Sequence, residues 1–327
     1  MDKPFYDTQP DYLSQAKKTQ AGRVIRKSRG FKLSRKDIIF YIIAYSLFLI
    51  FTLLCIFPFW YLFINTISNN DLVKSGDIIF FPRGIHLENY IQVFQLKGLW
   101  QAFMISIGRT VIGTFLTVFA SAFVGYLVTK QEMWGRKFWY RFILVIMFFN
   151  AGIIPWYMTM YNLRLTNNFL AYIIPWIVSP FYIILVKTFI ESIPDALEEA
   201  AIIDGAGYLR RFFSLILPLS VPILATVAIF SAVTQWNSFI DTMFLMTDEK
   251  LFTLQYVLQQ YLKQADYLAK IIRAGAGGLS GVDVSKLINP RVVQMTVTMV
   301  VVLPILIVYP LFQRYFIKGL MLGAIKG

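Results

Sequence analysis

The side chains that could do chemistry fall into two groups. The first is one short run, Glu198-Glu199-Ala200-Ala201-Ile202-Ile203-Asp204-Gly205-Ala206, followed by Leu215-Ile216-Leu217-Pro218. No histidine or cysteine stands beside its carboxylates, so covalent catalysis has no evident partner there. What such a segment can do is dock. Pro194 fits a first helical position, where the missing N–H costs nothing. Asp195, Glu198 and Glu199 fall in the first turns and complement the helix dipole. Ala196, Ala200 and Ala201 keep one face slim, and Gly205 or Gly207 can take the positive φ that ends a helix. A second helix is expected to run from Tyr208 into the next apolar segment, with Arg210 and Arg211 at the membrane interface. Such a helix pair can fill a groove in another protein and pass on a rigid push.

The second group is scattered through apolar sequence: Arg109, Asn150, Trp156, Tyr157, Trp236, Asn237 and Asp241. Arg109 lies about eight residues inside an apolar segment, where a charge is costly unless paired or wet. It either lines a polar pathway or snorkels to an interface. Gly152 and Pro155 break the segment around Asn150, Trp156, Tyr157 and Tyr161 and could expose backbone to a cavity. The alternative for Trp156 and Tyr161 is an aromatic belt. Cys55 is the single cysteine and His86 the single histidine. An internal disulfide is therefore impossible, and a zinc or haem site is not expected. Ala274-Gly275-Ala276-Gly277-Gly278-Leu279-Ser280-Gly281 reads as a linker, because no Gly-Lys-Ser/Thr follows to make a nucleotide loop.

These residues must be positioned by membrane helices. The 327 residues are 57% hydrophobic and 15% charged, against about 45–50% and 25% in ordinary soluble domains. Six apolar segments stand out, near Ile38–Phe63, Ala102–Val128, Phe138–Met160, Phe169–Ile190, Phe213–Trp236 and Val292–Phe312. Each has the roughly 20 residues a helix needs to cross a bilayer, and a lone strand cannot satisfy its backbone in lipid. The expected fold is an all-α polytopic membrane protein with six transmembrane helices. Residues 1–36 form a basic arm, with no cleavable signal peptide expected, and residues 37–327 the six-span domain.

Charge sets the orientation. Ten lysines and arginines precede the first span, from Lys3 to Lys36, while the loop Asn65–Gln101 holds Lys74, Arg83 and Lys97 alone. The short loop after the second span is again basic, with Lys130, Arg136 and Lys137. The positive-inside rule puts the N-terminus in the cytoplasm, and six spans return the C-terminus there. By parity the acidic connector, 191–212, is also cytoplasmic. The net charge of +13 arises largely from the arm, which faces anionic lipid headgroups rather than nucleic acid. The loop 238–290 falls outside and carries Leu254, Val257, Leu258, Tyr261, Leu262, Ala265, Leu268 and Ile272 at helical spacing. This is either a helix packed on the membrane or the spans, or a docking surface for an external partner.

Glu199-Ala200-Ala201, three residues, Gly205, nine residues, then Leu215-x-Leu217-Pro218 resembles the EAA signature of binding-protein-dependent ABC importer permeases. That signature reads E-A-A, three, G, nine, I-x-L-P, so only Leu215 departs. Asp204-Gly205-Ala206 matches its D-G-A core. Phe81-Pro82 with Leu87-Glu88-Asn89-Tyr90, the tail Tyr315–Gly327 and Gly152-Ile153-Ile154-Pro155-Trp156-Tyr157 are similar to the carbohydrate, maltose-permease-like branch. The resemblance covers the chain from the first span onward.

What it implies is a type I importer permease in a bacterial plasma membrane, doing no covalent chemistry and binding no cofactor. The expected partners are a second permease subunit, two ATPase subunits that hydrolyse ATP with Mg, an extracellular solute-binding protein and a carbohydrate. Glu198, Glu199, Ala200, Ala201, Asp204, Gly205, Ala206, Leu217 and Pro218 would couple to the ATPase, with Glu199 pairing with a basic residue there. Trp236, Asn237 and Asp241 offer the aromatic face and polar groups that a sugar needs. An amino-acid or peptide cargo is the alternative within the family. A stand-alone secondary transporter is disfavoured, because the spans hold Arg109 but no central acid for ion coupling.

Overall fold

The computed structural model describes residues 34–149, 151–273 and 290–324. Among the described residues the regular elements are helices: α1 (Arg35–Thr66), α2 (Asn70–Ser75), α3 (Glu88–Phe94), α4 (Leu99–Thr129), α5 (Arg136–Phe148), α6 (Ile153–Asn162), α7 (Pro180–Ile190), α8 (Asp195–Ile203), α9 (Tyr208–Leu219), α10 (Val221–Asn237), α11 (Ile240–Leu245), α12 (Leu254–Arg273) and α13 (Pro290–Ala324). Short 3-10 turns, Phe169–Tyr172 and Ile174–Trp176, precede α7. The basic arm to residue 33, Asn150, the linker 274–281 and the last three residues lie outside the described residues.

Two compact units divide at Pro58. In the first, α1 carries exposed Phe40, Tyr45 and Leu54 on all its sides, an apolar surface that suits lipid and not water. The second unit, from Phe59, holds everything else described below.

Three helices are long and apolar enough to cross a membrane, α1, α4 and the Arg291–Val308 stretch of α13, and the count rises to six if each of three bent pairs is one span. The first, second and sixth expected spans are therefore single helices, whereas the third, fourth and fifth are broken. The axes of α5 and α6 differ by 117°, those of Phe169–Trp176 and α7 by 45°, and those of α9 and α10 by 78°. The breaks have local causes. Gly152 takes φ +82°, a conformation that a side chain resists. Pro218 and Pro222, on either side of Ser220, have no N–H to give to the helical ladder, which is interrupted twice within four residues. A π-helical turn, Phe212–Ile216, leads into the bend. The helix expected from Tyr208 does run into the fifth span, as α9, but it is not continuous with the rest of that span, which turns at Ser220.

α4 is the centre of the bundle and makes its largest contacts with α10 and α7. Its buried seam runs Ser106, Arg109, Gly113, Thr117, Ser121 and Gly125, all small but Arg109 and mostly four apart. Lipid gives apolar helix faces little reason to associate, so close backbone approach supplies the packing. Thr117 Oγ1 donates to Trp176 O at 2.9 Å. A Cβ on Gly125 would lie 3.3 Å from both Ile183 O and Lys187 N of α7, and backbone cannot swing aside. Gly125→Val is therefore expected to push α4 off α7 at a cost of about 1–3 kcal/mol, read as a lower melting temperature of the detergent-solubilised protein, with Gly125→Ala affected less.

The amphipathic stretch of 238–290 forms α12. Leu254 and Leu258 are buried with Val293, Val297 and Val301 of α13 and Trp236 of α10, and Val257, Tyr261 and Leu262 pack beside them. Packing on the spans accounts for the stripe as far as Leu262.

Candidate functional site

Two polar clusters sit near the two ends of α4. From residue 109 to residue 126 the helix rises roughly 25 Å at about 1.5 Å per residue.

The connector is the helix α8 with the turn after it. Pro194 stands at the N-cap, one residue before the expected first helical position. Of the two candidate glycines, Gly205 takes the positive φ, +73°, whereas Gly207 is extended at φ −68° and ψ 169°. Gly205 N–H donates to Ile202 O and Ala206 N–H to Ala201 O, which satisfies carbonyls at the helix end. The two glutamates part company here. Glu199 is exposed, as are Ala200, Asp204 and Gly205. Leu197, Ile202 and Ile203 also stand out from the surface, Ile203 at 86%. Carboxylate and apolar side chains together on one small protruding helix suit insertion into a groove.

Glu198 points inward. Lys130 Nζ donates to its Oε2, Arg211 Nη1 to its Oε1 at 2.9 Å and Tyr126 Oη to Oε1 at 3.3 Å. Tyr126 Oη also reaches Tyr208 O at 3.3 Å. Lys130 lies over the Tyr126 ring and Arg211 over the Tyr208 ring. The ion pairs are only partly wet, with side-chain exposures of 12% for Lys130, 21% for Glu198 and 8% for Arg211. Arg211, expected at the membrane interface, is instead buried in this clasp. A cavity of about 230 Å³ opens beside it, lined by Lys130, Arg136, Glu191, Asp195 and Glu198 among others. Leu217 packs against the buried cluster around Phe212 and Val227, and Pro218 stands exposed at the α9–α10 bend.

The other cluster joins residues that sequence reading treated separately. Arg109 is 1% exposed and Asp241 2%. Arg109 Nη1 donates to Asp241 Oδ1 at 3.1 Å and Nη2 to Oδ2 at 2.5 Å. Nε and Nη2 both reach Gln235 Oε1, at 3.2 and 3.0 Å, and Nη1 reaches Ser238 O at 3.3 Å. The guanidinium lies 4.5 Å over the Tyr172 ring. Arg109 does not snorkel to a surface: its guanidinium is paired in the interior. Asp241 Oδ1 also accepts from Ser238 Oγ and from the N–H of its neighbour Thr242, so the carboxylate is held by three residues, Arg109, Ser238 and Thr242, and is closed to water at 2% exposure.

Trp236 is buried and its indole N–H donates to Val301 O at 3.0 Å. Asn237 is exposed at the end of α10. Trp156 and Tyr157 are half-buried against the cluster around Tyr172 and Leu245. Asn150 lies outside the described residues. Sequence reasoning missed Gln235, Ser238 and Tyr172 around Arg109, and Tyr126 and Lys130 around Glu198. The signal for the first set was only partial: an arginine in an apolar span demands an acid, but spacing does not say which one.

A bundle of helices long and apolar enough to cross a membrane, with a buried ion pair and a short exposed helix, is the architecture of a multi-pass membrane protein. No protein-family model matches the chain. It is 31% identical over 293 residues to the polygalacturonan/rhamnogalacturonan transport system permease protein YtcP of Bacillus subtilis, covering 89% of this chain and 100% of that one. It is 29% identical to the arabinooligosaccharides transport system permease protein AraQ of Halalkalibacterium halodurans, over 79% of this chain and 86% of that one. The crystal structure of a bacterial ABC transporter involved in the import of the acidic polysaccharide alginate matches with a TM-score of 0.76 at 29% identity, over 87% of this chain and 99% of that one. The chain belongs to the permease subunits of carbohydrate ABC importers. It is a multi-pass bacterial membrane transporter subunit for carbohydrate or oligosaccharide import, and not an enzyme. Membership implies partners in a transporter complex.

Proposed function

We propose that this permease couples to its energy source through α8. Glu199, Ala200, Ala201, Asp204, Gly205 and Ala206 form the surface entering a groove of one ATPase subunit, and Glu198, Leu217 and Pro218 hold that surface on the bundle. The observation that carries the reading is the exposed helix Asp195–Ile203, closed by Gly205 at φ +73°, on which Glu199 has no partner among the described residues. Both termini lie in the cytoplasm, the arm 1–36 rests on lipid headgroups, and the loop 238–290 faces outside, as the distribution of lysine and arginine argues. A second permease subunit, two ATPase subunits that bind and hydrolyse ATP with Mg, and an extracellular solute-binding protein complete the importer. This chain holds no cofactor of its own. ATP-driven closure biases the bundle between inward-open and outward-open states.

The cargo is an oligosaccharide, and a uronate-containing one is favoured because one relative is named for polygalacturonan and rhamnogalacturonan and the matched transporter for alginate. Trp156, Tyr157, Asn237 and Asn150 are the pathway candidates. Arg109, Asp241 and Trp236 shape its wall from within the packed bundle. The test is uptake by the importer reconstituted in vesicles with its binding protein, against oligogalacturonides, alginate oligomers, arabino-oligosaccharides, amino acids and peptides. ATP-dependent uptake of an oligosaccharide is expected. Stimulation by amino acids or peptides alone would overturn the cargo assignment.

A further inference from the structure

In the connector, α8 is tied to the inner end of α4 and not only to the helix that follows it. We infer that Glu198 is a positioning residue that fastens α8 to α4, so that the stroke delivered to the connector travels up α4 rather than through α9 into α10. The inference rests on the coupling role proposed for α8 and names the route by which that role is exercised.

Three observations converge. First, the covalent path is a poor lever. The α9–α10 junction turns through 78° with Pro218 and Pro222 on either side of Ser220, and a π-helical turn precedes it, so force along α9 meets a joint whose backbone ladder is interrupted. Second, the non-covalent path is strong. One carboxylate accepts from Lys130 and Tyr126 of the α4 end and from Arg211 at the start of α9, in surroundings dry enough for charge-assisted bonds to hold. Third, the clasp is charge-frustrated without its centre. Lys130 and Arg211 share Glu198 and are themselves little exposed. With Glu198 neutral, a buried and a half-buried cation are left without the carboxylate they share and repel, so the clasp opens instead of merely weakening. α4 is suited to receive the stroke. It is unbroken from Leu99 to Thr129, makes the largest contacts in the bundle, and is clamped at its other end through Arg109 to α10 and α11.

The test uses the whole importer in vesicles, with Cys55→Ser as background and spin labels on Glu132→Cys beyond α4 and Ala196→Cys on α8. With the clasp intact, the inter-label distance is expected to stay single and unchanged when ATP and Mg are added. Glu198→Gln is expected to broaden it and to lower oligosaccharide uptake per ATP hydrolysed by about tenfold, the size of an ordinary coupling free energy, while the ATPase subunits still co-purify. Lys130→Met in the Glu198→Gln background removes the repulsion and is expected to recover part of that uptake.

The inference is overturned if ATP changes the distance in the intact clasp, if Glu198→Gln transports normally, if it loses the ATPase subunits, or if Lys130→Met gives no recovery. The nucleotide arm needs no Glu198 variant, so it reads out even where Glu198→Gln does not assemble. Failure of the coupling reading itself is separate: Glu199→Lys would then retain both ATPase subunits and uptake, whatever the labels report.

Discussion

Asp241→Ala is expected to destabilise the permease by about 3–5 kcal/mol, the usual cost of leaving a buried charge without its partner. Arg109 is 1% exposed and commits two of its nitrogens to the Asp241 carboxylate. Water cannot replace those oxygens without opening the contact between α4 and α10. Gln235 Oε1 and Ser238 O remain, but neither carries a charge. Asp241→Asn keeps the shape and one acceptor and should fall between the two. The informative comparison is Arg109→Met with Asp241→Leu together, which removes both charges and both desolvation costs. It is expected to be less damaging than either single change, because apolar replacement of a whole buried pair is often close to neutral. Melting temperatures of the four proteins in detergent give the double-mutant cycle. Equal losses in the singles that add in the double would mean that the pair is not coupled.

The same pair marks the limit of what local sequence could say. Arg109 and Asp241 stand 132 positions apart; Arg109 invites a pathway reading as an ionisable group in an apolar span, and Asp241 as a carboxylate beside Trp236 and Asn237. Their conversion into a structural clamp depends on where α11 folds back, which no spacing within either segment encodes. The existence and position of the helices were far more legible, since about 20 apolar residues in lipid leave the backbone few alternatives. Bends were not. Pro58 lies inside the continuous α1, and Pro304 and Pro310 inside the continuous α13, so a proline by itself does not foretell a break. Two of the three broken spans combine prolines with a second disturbance, Gly152 at positive φ before Pro155, or Pro222 one turn after Pro218. Glu198 and Glu199 give the finest example. Adjacent helical residues point about 100° apart, so one of them must face the bundle, but only the position of Lys130 and Arg211 decides which.

Glu199→Lys and Gly205→Val are expected to abolish ATP-driven uptake, by more than about tenfold each, while the permease remains folded in the membrane. The reasons differ. Glu199 is exposed and makes no ion pair or hydrogen bond within the described residues, so reversing its charge removes nothing from the fold and acts only at a docking partner, where like charges repel. Gly205 acts through the backbone. No atom lies within 4 Å of where its Cβ would be, so space is not the obstacle. The obstacle is φ +73°, which costs a non-glycine residue roughly 1–2 kcal/mol, and more with branching at Cβ. The turn would relax and re-aim α8 relative to α9, moving the docking surface without touching its side chains. Gly207→Ala is the control: it also has open space, but its φ of −68° suits any residue, so uptake should be nearly unchanged. Uptake and ATPase co-purification measured on all three variants separate the effects. Loss of partner in Glu199→Lys and Gly205→Val, with normal assembly in Gly207→Ala, assigns the requirement to the carboxylate and the left-handed turn. If Gly207→Ala fails as badly as Gly205→Val, the segment tolerates no change at all, and the conformational argument for Gly205 falls.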